Sequence, residues 1–431
     1  MSNLPLPQGW KDEPLSTLVE RLESGVSVNS EDKPCAPDEF GILKTSCVNG
    51  GKFDPSQNKV IVANEIVRAA LNPRADSVLI SRMNTFDLVG ETAYVGGDFP
   101  NLFVPDRLWQ TVLRGGLETS TKWLSFVVQS PEFRAGVSRA ATGTSGSMKN
   151  ISQGSYLAIR TRIPPPPQQR RIAEILTTVD EAMEQTEALV GKLEQMKAGL
   201  MHDLFTRGVT PDGHLRPSRQ EAPHLYHETP LGWLPKEWDA CELRSKLSFI
   251  SYGFTNPMPE AEDGPYMVTA ADINGGRIQY ETCRRTTRSA FDQLLTKKSR
   301  PIVGDVLLTK DGTLGRIAVV DREDVCINQS VAVLRPQETR HSTFLAALLS
   351  SPRWQDKMIA DAGGSTIKHI YITVVDRMLI GWPKIQNEID RIVECVAQAT
   401  QTLADETTHL AKLRHQKQGL MQDLLTGRVP V

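Results

Sequence analysis

The chain has 431 residues, 39% of them hydrophobic and 23% charged, which is too long for one ordinary core and too apolar for wholesale disorder, so two to four structural units are expected. A formal charge of −2 excludes the general basic excess of a dedicated nucleic-acid binder, and no run of about 18 apolar residues is available to span a membrane. Cys35, Cys47, Cys241, Cys283, Cys326 and Cys395 show no CxxC spacing, which speaks against a zinc site or a secreted disulfide framework and for a reducing, cytoplasmic setting.

Met1-Ser2-Asn3-Leu4-Pro5 has neither the basic nor the apolar stretch of a secretory signal. Asn49-Gly50-Gly51 reads as a hairpin turn, because Asn and Gly tolerate positive φ. Lys59-Val60-Ile61-Val62 and Val78-Leu79-Ile80 have strand length and β-branched content. Helical spacing over Thr121–Gln129 stops at Ser130-Pro131, where proline disfavours continuation. After Pro164-Pro165-Pro166-Pro167, residues 168–205 contain no proline and carry Ile172, Ile175, Val179, Ala182, Thr186, Leu189, Leu193, Met196 and Leu200 at alternating spacings of three and four. That heptad seam predicts a long helix, on the order of 55–60 Å, packed against another long helix. From Arg207 to Leu231-Gly232-Trp233 the chain is Pro-, Gly- and charge-rich and reads as a linker. Asn274-Gly275-Gly276 repeats the hairpin signal, Ile317-Ala318-Val319-Val320 reads as a strand, and 342–349 reads as a helix that again stops at Ser-Pro. A final helix over 387–425 keeps Ile389, Ile392, Val396, Ala399, Leu403, Leu410, Leu413 and Leu420 but is more polar around Asp405-Glu406.

The chain is written twice. Leu6-Pro7-Gln8-Gly9-Trp10 returns as Leu234-Pro235-Lys236-Glu237-Trp238, and Val78-Leu79-Ile80-Ser81-Arg82 as Val306-Leu307-Leu308-Thr309-Lys310. Gly146-Ser147-Met148-Lys149-Asn150-Ile151 returns as Ser365-Thr366-Ile367-Lys368-His369-Ile370, and Lys197-x-Gly199-Leu200-Met201-x-Asp203-Leu204 as Lys417-x-Gly419-Leu420-Met421-x-Asp423-Leu424. Six blocks keep their order at offsets between 219 and 229, so the chain is a tandem duplication of a mixed α and β part followed by a helix.

Catalytic signatures are missing: there is no GxxxxGK[ST], no GxGxxG after a strand, no HExxH and no GxSxG. The adenine-methylase tetrapeptide [N/D]PP[Y/F] has only Asn72-Pro73-Arg74-Ala75 as its nearest approach, and His224-x-x-His227 lacks further metal ligands. What remains are polar loops in both copies. Thr144-Ser145-Gly146-Ser147-Met148-Lys149 and Gly363-Gly364-Ser365-Thr366-Ile367-Lys368 join a permissive backbone to hydroxyls and a cation, as phosphate contacts require, although a folding turn accounts for the same residues. Arg82-Met83-Asn84-Thr85 and Lys310-Asp311-Gly312-Thr313 each carry a cation from a strand into a turn. Between 277 and 316, nine Lys/Arg (277, 284, 285, 288, 297, 298, 300, 310, 316) face four Asp/Glu (281, 292, 305, 311), a surplus of five inside an acidic chain.

Taken together, the duplicated Leu-Pro…Trp starts, the Pro-rich run before Arg171-Ile172-Ala173-Glu174-Ile175-Leu176, the paired Lys-x-Gly-Leu-Met-x-Asp-Leu ends and the Pro211-Asp212-Gly213-His214-Leu215-Arg216 linker resemble the DNA specificity subunit of type I restriction-modification systems over essentially the whole chain. The resemblance implies an α+β fold with two mixed α/β target recognition domains (1–163 and 234–383), a central helix (164–207), a linker (208–233) and a C-terminal helix (384–426). The helices would pair as an antiparallel coiled-coil spacer in an internal pseudo-twofold repeat. It implies a non-catalytic subunit whose recognition domains each read half of a bipartite, asymmetric double-stranded DNA target. Its partners would be two adenine-N6 methyltransferase subunits and a nuclease/translocase subunit; S-adenosylmethionine, ATP and Mg would sit on those partners and none on this chain. Candidate DNA contacts are Lys44, Asn49, Lys52, Arg82, Asn84, Ser145, Ser147, Lys149, Asn274, Arg277, Arg284, Arg285, Arg288, Lys310, Thr313, Arg316, Ser365, Thr366 and Lys368. Candidates for helix pairing or partner docking are Ile172, Ile175, Val179, Leu189, Leu193, Met196, Leu200, Leu403, Leu410, Leu413 and Leu420. Two rival readings stay open: an enzyme, a nuclease or methylase with unrecognised motifs, and a coiled-coil assembly scaffold that does not bind DNA.

Overall fold

The computed structural model describes residues 6–143, 148–363 and 368–431, and divides into two compact units, one of 1–187 with 408–431 and one of 188–407. The fold is mixed α/β with long helices. Ser145, Ser147, Ser365 and Thr366 lie outside the described residues.

The first unit is organised by a four-stranded antiparallel sheet in the order Thr92–Val95, Ser77–Ser81, Leu108–Leu113, Val19–Ser24. All five residues of Ser77–Ser81 are buried, because side chains alternate between two covered faces. Val78 and Ile80 enter one apolar cluster with Trp123, Leu124 and Phe126 of the helix Thr121–Gln129. Leu79 points the other way, into a cluster with Leu43, Val48 and Leu102 beneath a second sheet, ordered Leu102–Phe103, Gly41–Leu43, Asn58–Ile61, Ser30–Glu31; its counterpart in the second unit is Arg284–Thr286, Glu260–Val268, Val325–Ile327. Burial of each of these aliphatic side chains contributes about 1.5–3 kcal/mol. In the second unit the order is Leu247–Tyr252, Val331–Pro336, Val306–Thr309, Ile317–Val319, with Val306 and Leu308 in one cluster and Leu307 in the opposite one. Val78-Leu79-Ile80 and its copy Val306-Leu307-Leu308 are thus central strands, whereas Ile317–Val319 is an edge strand and Asn58–Ile61 belongs to the second sheet.

Helices Thr121–Gln129 and Ser342–Ser350 end at Ser-Pro as expected, but each Ser-Pro also starts another helix, Pro131–Ala140 and Pro352–Ala360. Proline is tolerated in a first turn, and the Ser130 side chain accepts from Phe133 N at 3.3 Å as an N-cap. Both predicted hairpins form: Asn49 pairs with Lys52 and Asn274 with Arg277, across Gly50 and Gly51 (φ 57° and 83°) and Gly275 and Gly276 (φ 58° and 78°). Positive φ at both central positions is the two-residue turn that matches strand twist.

Two other glycines carry no turn signal in the sequence. Gly25 follows Val19–Ser24, and a Cβ there would lie 1.6 Å from the Val104 carbonyl oxygen; Gly253 follows Leu247–Tyr252, and its Cβ would lie 1.8 Å from that of Ile327. Each marks where the main sheet's outer strand leaves against the backbone of the second sheet.

The long helices span Pro166–Leu204 and Gln386–Thr426. In the first unit Ile172, Ala173 and Leu176 share a cluster with Met421, Leu424 and Leu425, while Lys417 Nζ meets Asp180 at 2.6 Å and Arg414 meets Glu187 at 2.9 Å. In the second unit Met201, Leu204 and Phe205 share a cluster with Ile389, Ile392 and Val396. Along the predicted stripe Ile172 and Leu410 are buried, and Ile175, Val179, Leu193, Leu200, Leu403, Leu413 and Leu420 are half-buried, whereas Leu189 and Met196 are 41% and 58% exposed. Leu176, off that stripe, is fully buried because a globular cluster covers it.

Each long helix is pinned at its first turn by a tryptophan of the repeated Leu-Pro…Trp motif. Trp10 Nε1 donates to Gln168 Oε1 at 2.8 Å, and Trp238 Nε1 donates to Glu388 Oε1 at 3.0 Å. Glu388 also accepts from Val209 N at 3.1 Å and Arg216 Nη1 at 3.0 Å, with both charged side chains under one-tenth exposed. The segment expected to be a linker to 233 contains a hairpin, Tyr226–Thr229 against Gly232–Pro235; two four-residue strands, Tyr-His-Glu-Thr and Gly-Trp-Leu-Pro, are too short to display an alternating period. Among the described residues no helix is long and apolar enough to cross a membrane, and no cluster of metal-ligating side chains occurs around the His224 and His227 pair or elsewhere.

Candidate nucleic-acid interface

In each unit the central strand delivers its cation to the same neighbour. Ser77–Ser81 exits into Arg82, and the short strand Met83–Asn84 pairs with Lys149–Asn150, Lys149 lying opposite Asn84. Ile151 N closes the ladder onto the Arg82 carbonyl at 3.1 Å. Val306–Thr309 exits into Lys310, whose carbonyl accepts from Ile370 N at 2.9 Å, while Gly363 and His369 bridge beside it. Two candidate segments more than fifty residues apart in sequence are therefore hydrogen-bonded neighbours, once in each unit.

Their side chains differ. In the first unit Lys149 Nζ donates to the Gly143 carbonyl at 2.8 Å, Asn84 Oδ1 accepts from Thr85 N at 2.9 Å, and Arg82 is half-buried with its Nε lacking a partner among the described residues. Exposed Phe86 and Met148 flank them. In the second unit Lys310 Nζ meets Asp311 Oδ2 at 2.7 Å and sits 5.6 Å above the Tyr252 ring, and His369 Nδ1 lies 2.5 Å from Asp311 Oδ1. Burial raises the Asp311 pKa, but the hydrogen bonds from Lys310 and His369 outweigh it and hold the carboxyl below the usual aspartate range. Gly312 turns the chain at φ 78°, Thr313 is exposed, and its carbonyl accepts from the Thr309 hydroxyl; Lys368 is exposed.

The remaining candidates are placed elsewhere or are engaged. Asn49 and Asn274 are exposed at the hairpins. Lys52, opposite Asn49, contacts Glu187 at 3.2 Å and Glu184 at 3.4 Å; hydrogen bonding from Arg414 foremost, with Lys52, keeps the Glu187 carboxyl below its usual range. Lys44 and Lys59 share Asp32 at 3.8 and 3.0 Å. Arg284 pairs with Glu260 at 2.5 Å, Arg285 lies 3.7 Å from Asp263 and stacks on Tyr266, and Arg288 forks onto Asp324, its Nη1 donating at 2.6 Å. Arg316 is half-buried and donates to the Ile273 carbonyl at 2.9 Å. Glu260, Asp263 and Asp324 all come from outside 277–316, so three of the five surplus charges in that stretch are met by carboxylates brought in by the fold, which a linear sum does not register. Among the described residues no ion pair engages Arg82, Lys149, Arg277 or Lys368.

Residues 258–414 match the family model of the type I restriction modification DNA specificity domain. The chain is similar to type I specificity subunits. It is 24% identical to the type I restriction enzyme EcoBI specificity subunit of Escherichia coli over 302 residues, 67% of this chain and 62% of that one. With the MjaVIII specificity subunit of Methanocaldococcus jannaschii it shares 20% over 292 residues, 65% of each chain. The matched region thus spans a little under two thirds of these relatives, whereas a further M. jannaschii relative aligns at 21% identity over 99% of this chain and 95% of its own. The type I S subunit structure from M. genitalium shares the fold at a TM-score of 0.57 and 14% identity, covering 99% and 98% of the two chains. A structure described under complex assembly and conformational transition of the type I R-M system gives 0.58 at 17% identity, covering 99% and 100%. The family read from the duplicated motifs is the family these relatives carry in their names.

Proposed function

We propose that the chain is the non-catalytic DNA specificity subunit of a cytoplasmic type I restriction-modification complex, with recognition domains at 1–163 and 234–383 each reading one half of a bipartite, asymmetric double-stranded target. The long helices, 164–207 and 384–426, pair antiparallel as a coiled-coil spacer related by pseudo-twofold symmetry. They set the gap between half-sites and dock two adenine-N6 methyltransferase subunits and, through the complex, the nuclease/translocase, whose partners bring S-adenosylmethionine, ATP and Mg. One observation carries this reading: each unit gathers a strand-exit cation and a second loop onto one surface, Arg82 and Asn84 with Lys149, Lys310 with His369. The common strand order of the two main sheets supports the repeat, and the opposed order of the Lys417–Asp180 and Arg414–Glu187 pairs supports the antiparallel helices.

Comparing adenine methylation across the genome with and without the gene is expected to remove one bipartite motif; an unchanged methylome with the partners expressed would count for the scaffold reading. A second test uses salt. In the complex, Arg82→Ala with Lys149→Ala is expected to weaken DNA binding and to flatten the dependence of log K on log salt by about one for each phosphate that is no longer neutralised. A scaffold that does not bind DNA predicts no such slope in either protein.

A further inference from the structure

A carboxylate is an unexpected group on a surface that meets phosphate, and Asp311 stands on the one proposed here. It stands two residues beyond the buried strand Val306–Thr309 and is gripped from two sides, by the Lys310 ammonium at 2.7 Å and the His369 ring at 2.5 Å, while keeping about one-fifth of its side chain exposed. Lys310 is itself backed by Tyr252, and its backbone N–H is fixed to the Ser330 carbonyl at 2.8 Å. The acid is therefore both neutralised and immobilised, with one lone pair on each carboxylate oxygen still available. The first unit has Met83 and Asn150 where the second has Asp311 and His369, so the cluster is not needed to close the loop ladder.

Against a phosphate oxygen such a group is repelled. Against a base edge in the major groove it accepts from the exocyclic amino group of cytosine or adenine and rejects the keto oxygen of guanine or thymine. We propose that Asp311 is a specificity-determining residue of the second recognition domain, reading an amino-bearing base at one position of its half-site, with Lys310 and His369 as the positioning residues that hold the carboxylate. This rests on the DNA-reading function proposed above.

The test compares methylomes of cells carrying the wild-type gene or Asp311→Asn, with the native partner subunits present. An amide can donate as well as accept, so Asp311→Asn is expected to admit keto bases at one position of one half-site. Discrimination there should fall about tenfold or more, while the other half-site and the gap stay unchanged and report intact folding. Asp311→Ala should lose the preference at the same position. A motif that is unchanged, uniformly weakened or lost altogether in Asp311→Asn overturns the assignment and leaves the cluster as a loop fastener. A wild-type gene that directs no bipartite motif overturns the functional reading itself, and the assignment with it.

Discussion

Glu388→Ala is expected to destabilise the unit formed by 188–407 toward the lower end of about 3–5 kcal/mol, because it leaves the buried Arg216 guanidinium with only the more distant Glu237 carboxylate, at 3.7 Å, as counter-charge. The same change removes the acceptor used by Trp238 Nε1 and Val209 N, so three donors lose their partner together. The first unit shows why the charge sits where it does. Gln168, at the equivalent place, receives the Trp10 indole at 2.8 Å, and a neutral amide is sufficient there because, among the described residues of that unit, no arginine is buried. Glu388→Gln should accordingly cost less than Glu388→Ala but more than Gln168→Glu would suggest from its milder chemistry, since Arg216 keeps a hydrogen bond and loses the charge. Urea unfolding of the full chain, with hydrogen exchange to assign the loss to 188–407, measures both; a Glu388→Ala loss under about 1 kcal/mol would contradict the buried-pair account.

Gly25→Ala and Gly253→Ala are each expected to cost at or above the upper end of the roughly 1–3 kcal/mol typical of overpacking. Neither glycine is at positive φ; the obstacle is a backbone carbonyl, at 1.6 Å for Val104 and 1.8 Å for Ile327, which has no rotamer to retreat into. Moving it would part the strand leaving the main sheet from the second sheet beneath. Gly115→Ala, where nothing lies within 4 Å of the added carbon, serves as the neutral reference. Thermal unfolding of the three variants compares them, and equal melting temperatures would refute the close approach.

The elements that the sequence displayed are those with a period long enough to read. Val78-Leu79-Ile80 and Val306-Leu307-Leu308 announced buried strands because both faces are covered, and Thr121–Gln129 and the long helices carried turns of helical spacing. Two-residue strands such as Ser30–Glu31 and Met83–Asn84 have no period at all, so although Lys59-Val60-Ile61 of the second sheet was legible, that sheet's edge strands and the ladder joining Arg82 to Lys149 were beyond reading. The duplication did hold a usable signal for the interface: both copies set a cation after the central strand and another after the loop, which is the pair the fold brings together. Charge was the poorest guide. Arg284, Arg285 and Arg288 looked surplus only because Glu260, Asp263 and Asp324 come to them through strand pairing and a turn, and Lys52 looked free only because Glu184 and Glu187 lie on a helix far along the chain.

The first unit is assembled from 1–187 and 408–431, whereas the second is one continuous stretch. On a ribosome adding about 5–20 residues per second, the cluster holding Trp10, Ile172 and Leu176 waits roughly ten to fifty seconds for Met421, Leu424 and Leu425. During that interval 188–407 can already fold, so the unit whose synthesis begins first is the last to close, and its apolar face is the one that chaperones would meet.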